Sequence, residues 1–177
     1  MTTFTESALE QHCRRYRERD LLPAVVDPVS HRILLHIGAA YGAVTMPTEL
    51  GEPVLQRLRA AGSAGPVFAH PRAGRWTFLT GPTRHDEFPA AAAAELFRRY
   101  TTVAGTGSQI VLPSAEDEAS GYRLWVAGPD TYGTRPQQQA VIDAVCASGR
   151  HLTCATRGGG GRWPPAGPAR LSVRRGA

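Results

Sequence analysis

Apolar residues recur along this chain in two rhythms, every three to four positions in some segments and every second position in others. The first rhythm predicts helices and the second strands. Within residues 5–19, Ala8, Leu9, Cys13 and Tyr16 fall at helical spacing among arginines and glutamates, and Asp20 and Pro23 end the helix. Residues 24–28 predict a short strand running into a turn. Residues 32–37 and 43–46 predict two more, joined through 38–42. Pro47 has no amide to donate, so the second of these must stop there. Thr48 is then the expected N-cap of a helix whose apolar face is Leu50, Val54, Leu55, Leu58 and Ala61 and which closes at Gly62. Pro53 lies inside that segment and leaves open a regular helix that begins only there.

Residues 67–69 and 76–79 form a predicted hairpin around Pro71-Arg72-Ala73-Gly74. A helix is expected over 89–100, with Pro89 at its first position, Asp86 and Glu87 upstream, and Arg98-Arg99 at its C-terminal end, charges that match the helix dipole. Gly105-Thr106-Gly107 leads into an expected strand pair, 109–112 with 122–126, joined by an acidic loop at 113–121 that reads as mobile. Thr134 is the expected cap of a last helix reaching Ser148, with Pro136 in its first turn, and a short strand is expected at 152–155. The remainder, TRGGGGRWPPAGPARLSVRRGA, has too few apolar residues to offset the entropy of ordering it. The pattern therefore predicts one α/β (α+β) domain over residues 1–155, a mixed β-sheet flanked by helices, and a disordered Gly/Pro/Arg-rich tail over 156–177.

Composition narrows the class. At 177 residues with 42% hydrophobic and 20% charged, the chain has the make-up of a water-soluble globular protein. It contains no apolar run of the roughly 18 residues that a membrane span needs. The first twenty residues lack the basic-then-apolar layout of a secretory signal, so the expected location is the cytoplasm, with no membrane partner. Three cysteines at irregular spacing fit a reducing compartment better than a disulfide framework. All 20 basic residues are arginine. Six of them lie between Arg150 and Arg175 with no acid among them, whereas residues 1–149 hold 14 arginines against 15 acids. The net charge of +5 thus belongs to the tail.

The body offers few chemical constellations. His70, Arg72 and Arg75 surround the hairpin turn, either as a solvated tip or as an anion pocket, since guanidinium forks bind phosphate bidentately. Trp76 shares a strand face with Phe78 and is either a buried core pair or a stacking platform for a base. Gly105-Thr106-Gly107 lacks the lysine and helix start of a phosphate loop and reads as a turn before a strand. Cys146, His151 and Cys154 want a fourth ligand before they could hold zinc. His12 and His36 are expected on a helix face and a strand. In the tail, Arg157, Arg162, Trp163, Arg170, Arg174 and Arg175 suit either a polyanion partner or a solvated terminus.

Residues 41–127 resemble the primase–polymerase (archaeo-eukaryotic primase-like) domain family, in particular degenerate stand-alone actinobacterial relatives. The resemblance rests on Ala43-Val44-Thr45-Met46-Pro47 leading into a helix, on the hairpin strand Gly74-Arg75-Trp76-Thr77-Phe78, on the Gly-rich approach to Gln109-Ile110-Val111-Leu112-Pro113-Ser114, and on Tyr122-Arg123-Leu124-Trp125. It implies a scaffold on which paired carboxylates hold divalent metals for phosphoryl transfer. Where the family has its first acid pair, this chain has Thr45 and Pro47. Trp76 stands at the histidine position, and a glycine or serine stands near 107. The expectation is a non-catalytic accessory or regulatory protein, without cofactor or metal, that binds nucleic acid or nucleotide. The alternative is a protein–protein interaction module with no nucleic-acid role, using the acids Glu116-Asp117-Glu118 or the basic tail.

Overall fold

The computed structural model describes residues 7–82, 90–129 and 135–148. In chain order the elements are α1 (Ala8–Glu18), β1 (Ala24–Asp27), β2 (Arg32–His36), β3 (Gly42–Pro47), α2 (Thr48–Ala60), β4 (Val67–His70), β5 (Arg75–Thr80), α3 (Ala90–Arg98), β6 (Thr102–Val103), β7 (Gln109–Val111), α4 (Ala115–Ala119), β8 (Leu124–Ala127) and α5 (Gln138–Ser148). The α/β class is the one expected. Its strands divide between two sheets, β1-β2-β7 and β6-β3-β5-β4-β8, and every pair is antiparallel, where the pattern suggested one mixed sheet.

α1 begins on a capping box: the Glu10 amide donates to Ser7 Oγ at 3.2 Å and the Ser7 amide donates to the Glu10 carboxylate at 2.9 Å. It buries His12, Cys13 and Tyr16. α2 starts directly at Thr48. Pro47 occupies the cap without a side-chain bond, and the Thr48 amide donates instead to the Gly74 carbonyl at 2.9 Å. The expected Thr48 side-chain cap is thus replaced by the backbone of the hairpin turn. The helix runs through Pro53, whose missing amide leaves the carbonyl one turn back on an exposed side of the helix, within reach of water. At its far end Gly62 adopts φ +63°, so that Gly62 and Ser63 donate to Arg59 and Leu58, the pairing of a left-handed helix stop.

Two expectations for the second half are corrected. β7 and β8 are not partners: β7 pairs with β2, and β8 pairs with β4 in the other sheet. The acidic segment between them is not an irregular mobile loop but carries α4. Ser114 and Asp117 bond each other's amides at 3.1 and 3.2 Å, and the short helix turns the chain from one sheet to the other. β6, which the pattern did not reveal, adds an edge strand beside β3. The segment around Asp86, Glu87 and Pro89, Thr134, the strand expected at 152–155 and the whole tail lie outside the described residues.

The five-stranded sheet has a core on each face. On one side α2, α3 and α5 pack Leu55, Leu58, Leu96, Val141 and Ile142 against Val44, Met46, Val67 and Phe78. On the other side the three-stranded sheet and α1 pack Tyr16, Ile33, Leu35 and Leu112 against Phe68 and Leu79. Adjacent residues Val67 and Phe68, and Phe78 and Leu79, serve opposite cores, as the two-residue period of a strand dictates. The Trp125 indole donates to Tyr16 Oη at 2.8 Å, and that hydroxyl donates to the Pro113 carbonyl at 2.7 Å, which ties β8, α1 and the end of β7 together.

Candidate anion-binding cleft

The same alternation that builds two cores decides which hairpin residues can act together. His70 and Arg75 face each other across the last pair of the β4–β5 ladder. The turn between them is a short 3-10 segment, Pro71–Ala73, closed by Gly74 at φ +60°, a backbone angle that favours glycine. Both side chains enter a cleft of about 260 Å³ on the inter-sheet side, with Thr45, Thr77 and Arg123 as its other polar walls and Phe68, Ala73, Ile110 and Val111 as its apolar ones.

Arg75 is anchored by one nitrogen, which donates to the carbonyls of Thr45 at 3.1 Å and Tyr100 at 2.7 Å. Arg123 immediately precedes β8 and is only 8% exposed. Its Nη1 lies 3.3 Å from both carboxylate oxygens of Asp117, and its Nε is buried without a hydrogen-bond partner. A buried guanidinium with an unused donor is costly unless something accepts from it. His70 Nε2 lies 3.4 Å from Thr77 Oγ1, which in turn lies 3.0 Å from Thr45 Oγ1, so the imidazole heads a short chain of hydroxyls. Burial holds the His70 pKa below the usual histidine range. Arg123 and then Arg75 push the same way, and only Asp117 opposes them. The ring is therefore neutral near pH 7, able to donate one hydrogen bond and accept another.

None of the residues lining the cleft is a carboxylate. Thr45, at the position where the resemblance implies the first acid, does stand in its wall. Among the described residues no three of His, Cys, Asp and Glu come close enough together to hold a metal ion. The cleft's donors and its two cations suit an anion.

Two of the sequence candidates lie elsewhere. Trp76 points to the opposite face and packs against the helical core, where a Cβ on Gly51 would come within 2.5 Å of its ring. It is a core residue with Phe78, not a member of the anion site, because neighbours on a strand cannot share a face. Arg72 does not line the cleft and lies instead over the Tyr122 ring, 5.3 Å from its centroid. Gly107 is the expected turn residue at φ +86°, its amide given to the Ile37 carbonyl. His12 stacks edge-on to Tyr16 on α1, and His36 is exposed on β2, as expected. Cys146 packs at the border of the helical core, while His151, Cys154 and the tail residues Arg157, Arg162, Trp163, Arg170, Arg174 and Arg175 lie outside the described residues. Arg123, which completes the cleft, was missed. Its only signal is an arginine six residues after Asp117, at the head of an aromatic strand.

No family model, curated protein or solved structure matches this chain.

Proposed function

We propose that the chain is a non-catalytic, nucleic-acid-binding accessory protein on a primase–polymerase-like scaffold, and that its inter-sheet cleft grips a backbone phosphate. The observation that carries this reading is the meeting of Arg75, the buried and incompletely partnered Arg123 and His70 in a cleft whose lining holds no carboxylate. A phosphate oxygen offers the acceptor that Arg123 Nε lacks, in a charge-assisted bond stronger than a neutral one. The scaffold likeness rests on the short motifs around Thr45, Arg75 and Gln109. With threonine at the first acid position, the cleft lacks the hard oxygen donors that a catalytic magnesium requires, which favours binding over phosphoryl transfer. About 260 Å³ is below the range of roughly 300–1,000 Å³ typical of sites that enclose a whole small molecule. The cleft takes a phosphate and part of a sugar and leaves the base outside, as sequence-independent binding needs.

Fluorescence anisotropy of labelled single- and double-stranded DNA with the full-length protein tests this at about 50 and 200 mM salt. Binding should weaken steeply with salt. Arg75→Ala should lower the affinity about tenfold and reduce the salt slope by about one. Absence of salt-dependent binding by the full chain refutes the reading.

A second reading, a protein-interaction module, is favoured by Phe97 and Tyr100, 84% and 77% exposed near the end of α3. Large exposed aromatics of this kind are common anchors in protein contacts. If deletion of residues 156–177 abolishes DNA binding while Phe97→Ala abolishes a protein contact, the interaction reading replaces the first.

A further inference from the structure

Beside the cleft, three arginines converge on one aromatic ring, and Arg123, a wall of the cleft, is one of them. The guanidinium carbons of Arg32, Arg72 and Arg123 lie 5.8, 5.3 and 4.7 Å from the centroid of Tyr122, so no two of them are further apart than twice the largest of these distances. Arg123 is committed to Asp117. Arg32 and Arg72 have no carboxylate within ion-pair distance among the described residues. Two cations without a protein counter-charge beside one cavity give it a positive potential that an anion would complement.

The two unpaired arginines border an open cavity of about 610 Å³, well inside the range of small-molecule sites. Its hydroxyls come from Ser30, Ser114 and Ser120, with His31 beside them. The β1–β2 turn fixes its near wall: the Ser30 amide donates to Asp27 Oδ2 at 2.8 Å, and the His31 amide donates to the Asp27 carbonyl at 2.9 Å. Two acids also line the cavity, and they differ. Asp117 is neutralised by Arg123 and caps Ser114, whereas Glu116 is exposed. The cavity therefore offers the guanidiniums of Arg32 and Arg72 to an anion and the Glu116 carboxylate to neutral hydrogen-bond donors.

The geometry points to a second binding site here, separate from the inter-sheet cleft, for a nucleoside phosphate. Its phosphate lies in the fork of Arg32 and Arg72, the serine hydroxyls surround the sugar, and amino or hydroxyl donors of the nucleoside reach Glu116. Arg72 lines this site and Arg75 the cleft, so the two share a hairpin turn, and Arg123 of the cleft also stands over the Tyr122 that lines this site.

Isothermal titration of the full-length protein with AMP, ADP, GDP and inorganic pyrophosphate tests the assignment. At least one of the nucleotides should bind tenfold or more tightly than pyrophosphate. Arg72→Ala and Arg32→Ala should each weaken it at least tenfold, and Arg75→Ala, which affects the cleft alone, should leave it unchanged. Arg72 is exposed on a turn, so its variant should fold, and a circular dichroism melt alongside shows that it does. The site is refuted if none of the four probes binds, if pyrophosphate binds as tightly as every nucleotide, or if Arg75→Ala rather than Arg72→Ala removes binding. DNA binding that survives Arg72→Ala separates failure of this site from failure of the cleft.

Discussion

Replacing Gly51 by alanine sets two effects of opposite sign against each other, and the structure decides between them. In an exposed helix interior the change stabilises by up to about 1 kcal/mol, because glycine loses more backbone freedom on folding. Here the new methyl would stand 2.5 Å from two carbons of the Trp76 indole and 2.8 Å from a third. Ordinary contact needs about a further 1 Å, and the nearest atoms include the root of the ring, which can swing aside only by leaving its packing against the helical core. Overpacking of this kind costs about 1–3 kcal/mol. The net expectation for Gly51→Ala is destabilisation by about 1 kcal/mol, a fall in melting temperature of about 2–4 °C for a chain of this size. Urea denaturation should show a lower midpoint at unchanged slope. Shrinking the ring should remove the conflict, so in a Trp76→Leu background Gly51→Ala becomes neutral or stabilising, a coupling of about 1 kcal/mol or more between the two positions. Trp76→Leu should also leave DNA affinity within about twofold, because the indole lies across the sheet from the cleft. An alanine variant more stable than the parent in the Trp76 background would show that the helix and indole are not in contact. A large loss of DNA affinity on Trp76→Leu would restore the stacking platform.

Two further outcomes follow from the electrostatics of the cleft. Because the folded pKa of His70 lies below that of the unfolded chain, the unfolded chain binds the extra proton first. The His70 contribution is present above about pH 6.5 and is lost as pH falls through the folded value, and buried His12 acts with the same sign. A bound phosphate favours the imidazolium, so over that window DNA affinity should rise while stability falls, and His70→Gln should flatten both profiles. An affinity independent of pH would place the anion away from His70. Asp117→Asn should likewise split stability from binding. It strips Arg123 of its carboxylate and destabilises by about 2–3 kcal/mol, at or below the low end for broken buried pairs because the contacts are long at 3.3 Å. Freed from that partner, Arg123 should hold a phosphate more tightly, and weaker DNA binding by a folded Asp117→Asn protein would contradict this.

Much of the fold could be read from the chain because every helix except α4 and most strands carry their own periodicity. Tyr16 and Cys13 on one face of α1, and Trp76 with Phe78 against Thr77 on β5, are settled by local spacing alone. Strand partnership is not local. Gln109–Val111 and Leu124–Ala127 have patterns that would suit a hairpin, and only Ser114-x-x-Asp117, a capping signature hidden in an acidic run, indicates that a helix intervenes. At the site, His70 and Arg75 were found because both flank the hairpin turn, and the ladder then sets them opposite one another. Placing Arg72 with them treated nearness along the chain as nearness in space, and of the two readings of Trp76 the core pair is the one the strand face supports. The strand period sends Trp76 to the other face, and the 3-10 turn carries Arg72 round to Tyr122. Arg123 arrives from a strand about fifty residues away, and no spacing rule links it to the hairpin.

The five-stranded sheet is a party wall between two apolar compartments, with Val67 plugging one and Phe68 the other. Peeling β4 away would flood both at once, so neither half has a refuge in which to persist alone. The arginines that line the cleft are therefore held by the stability of both compartments together, and a lesion in the distant helical layer would disturb their placement as surely as one beside them.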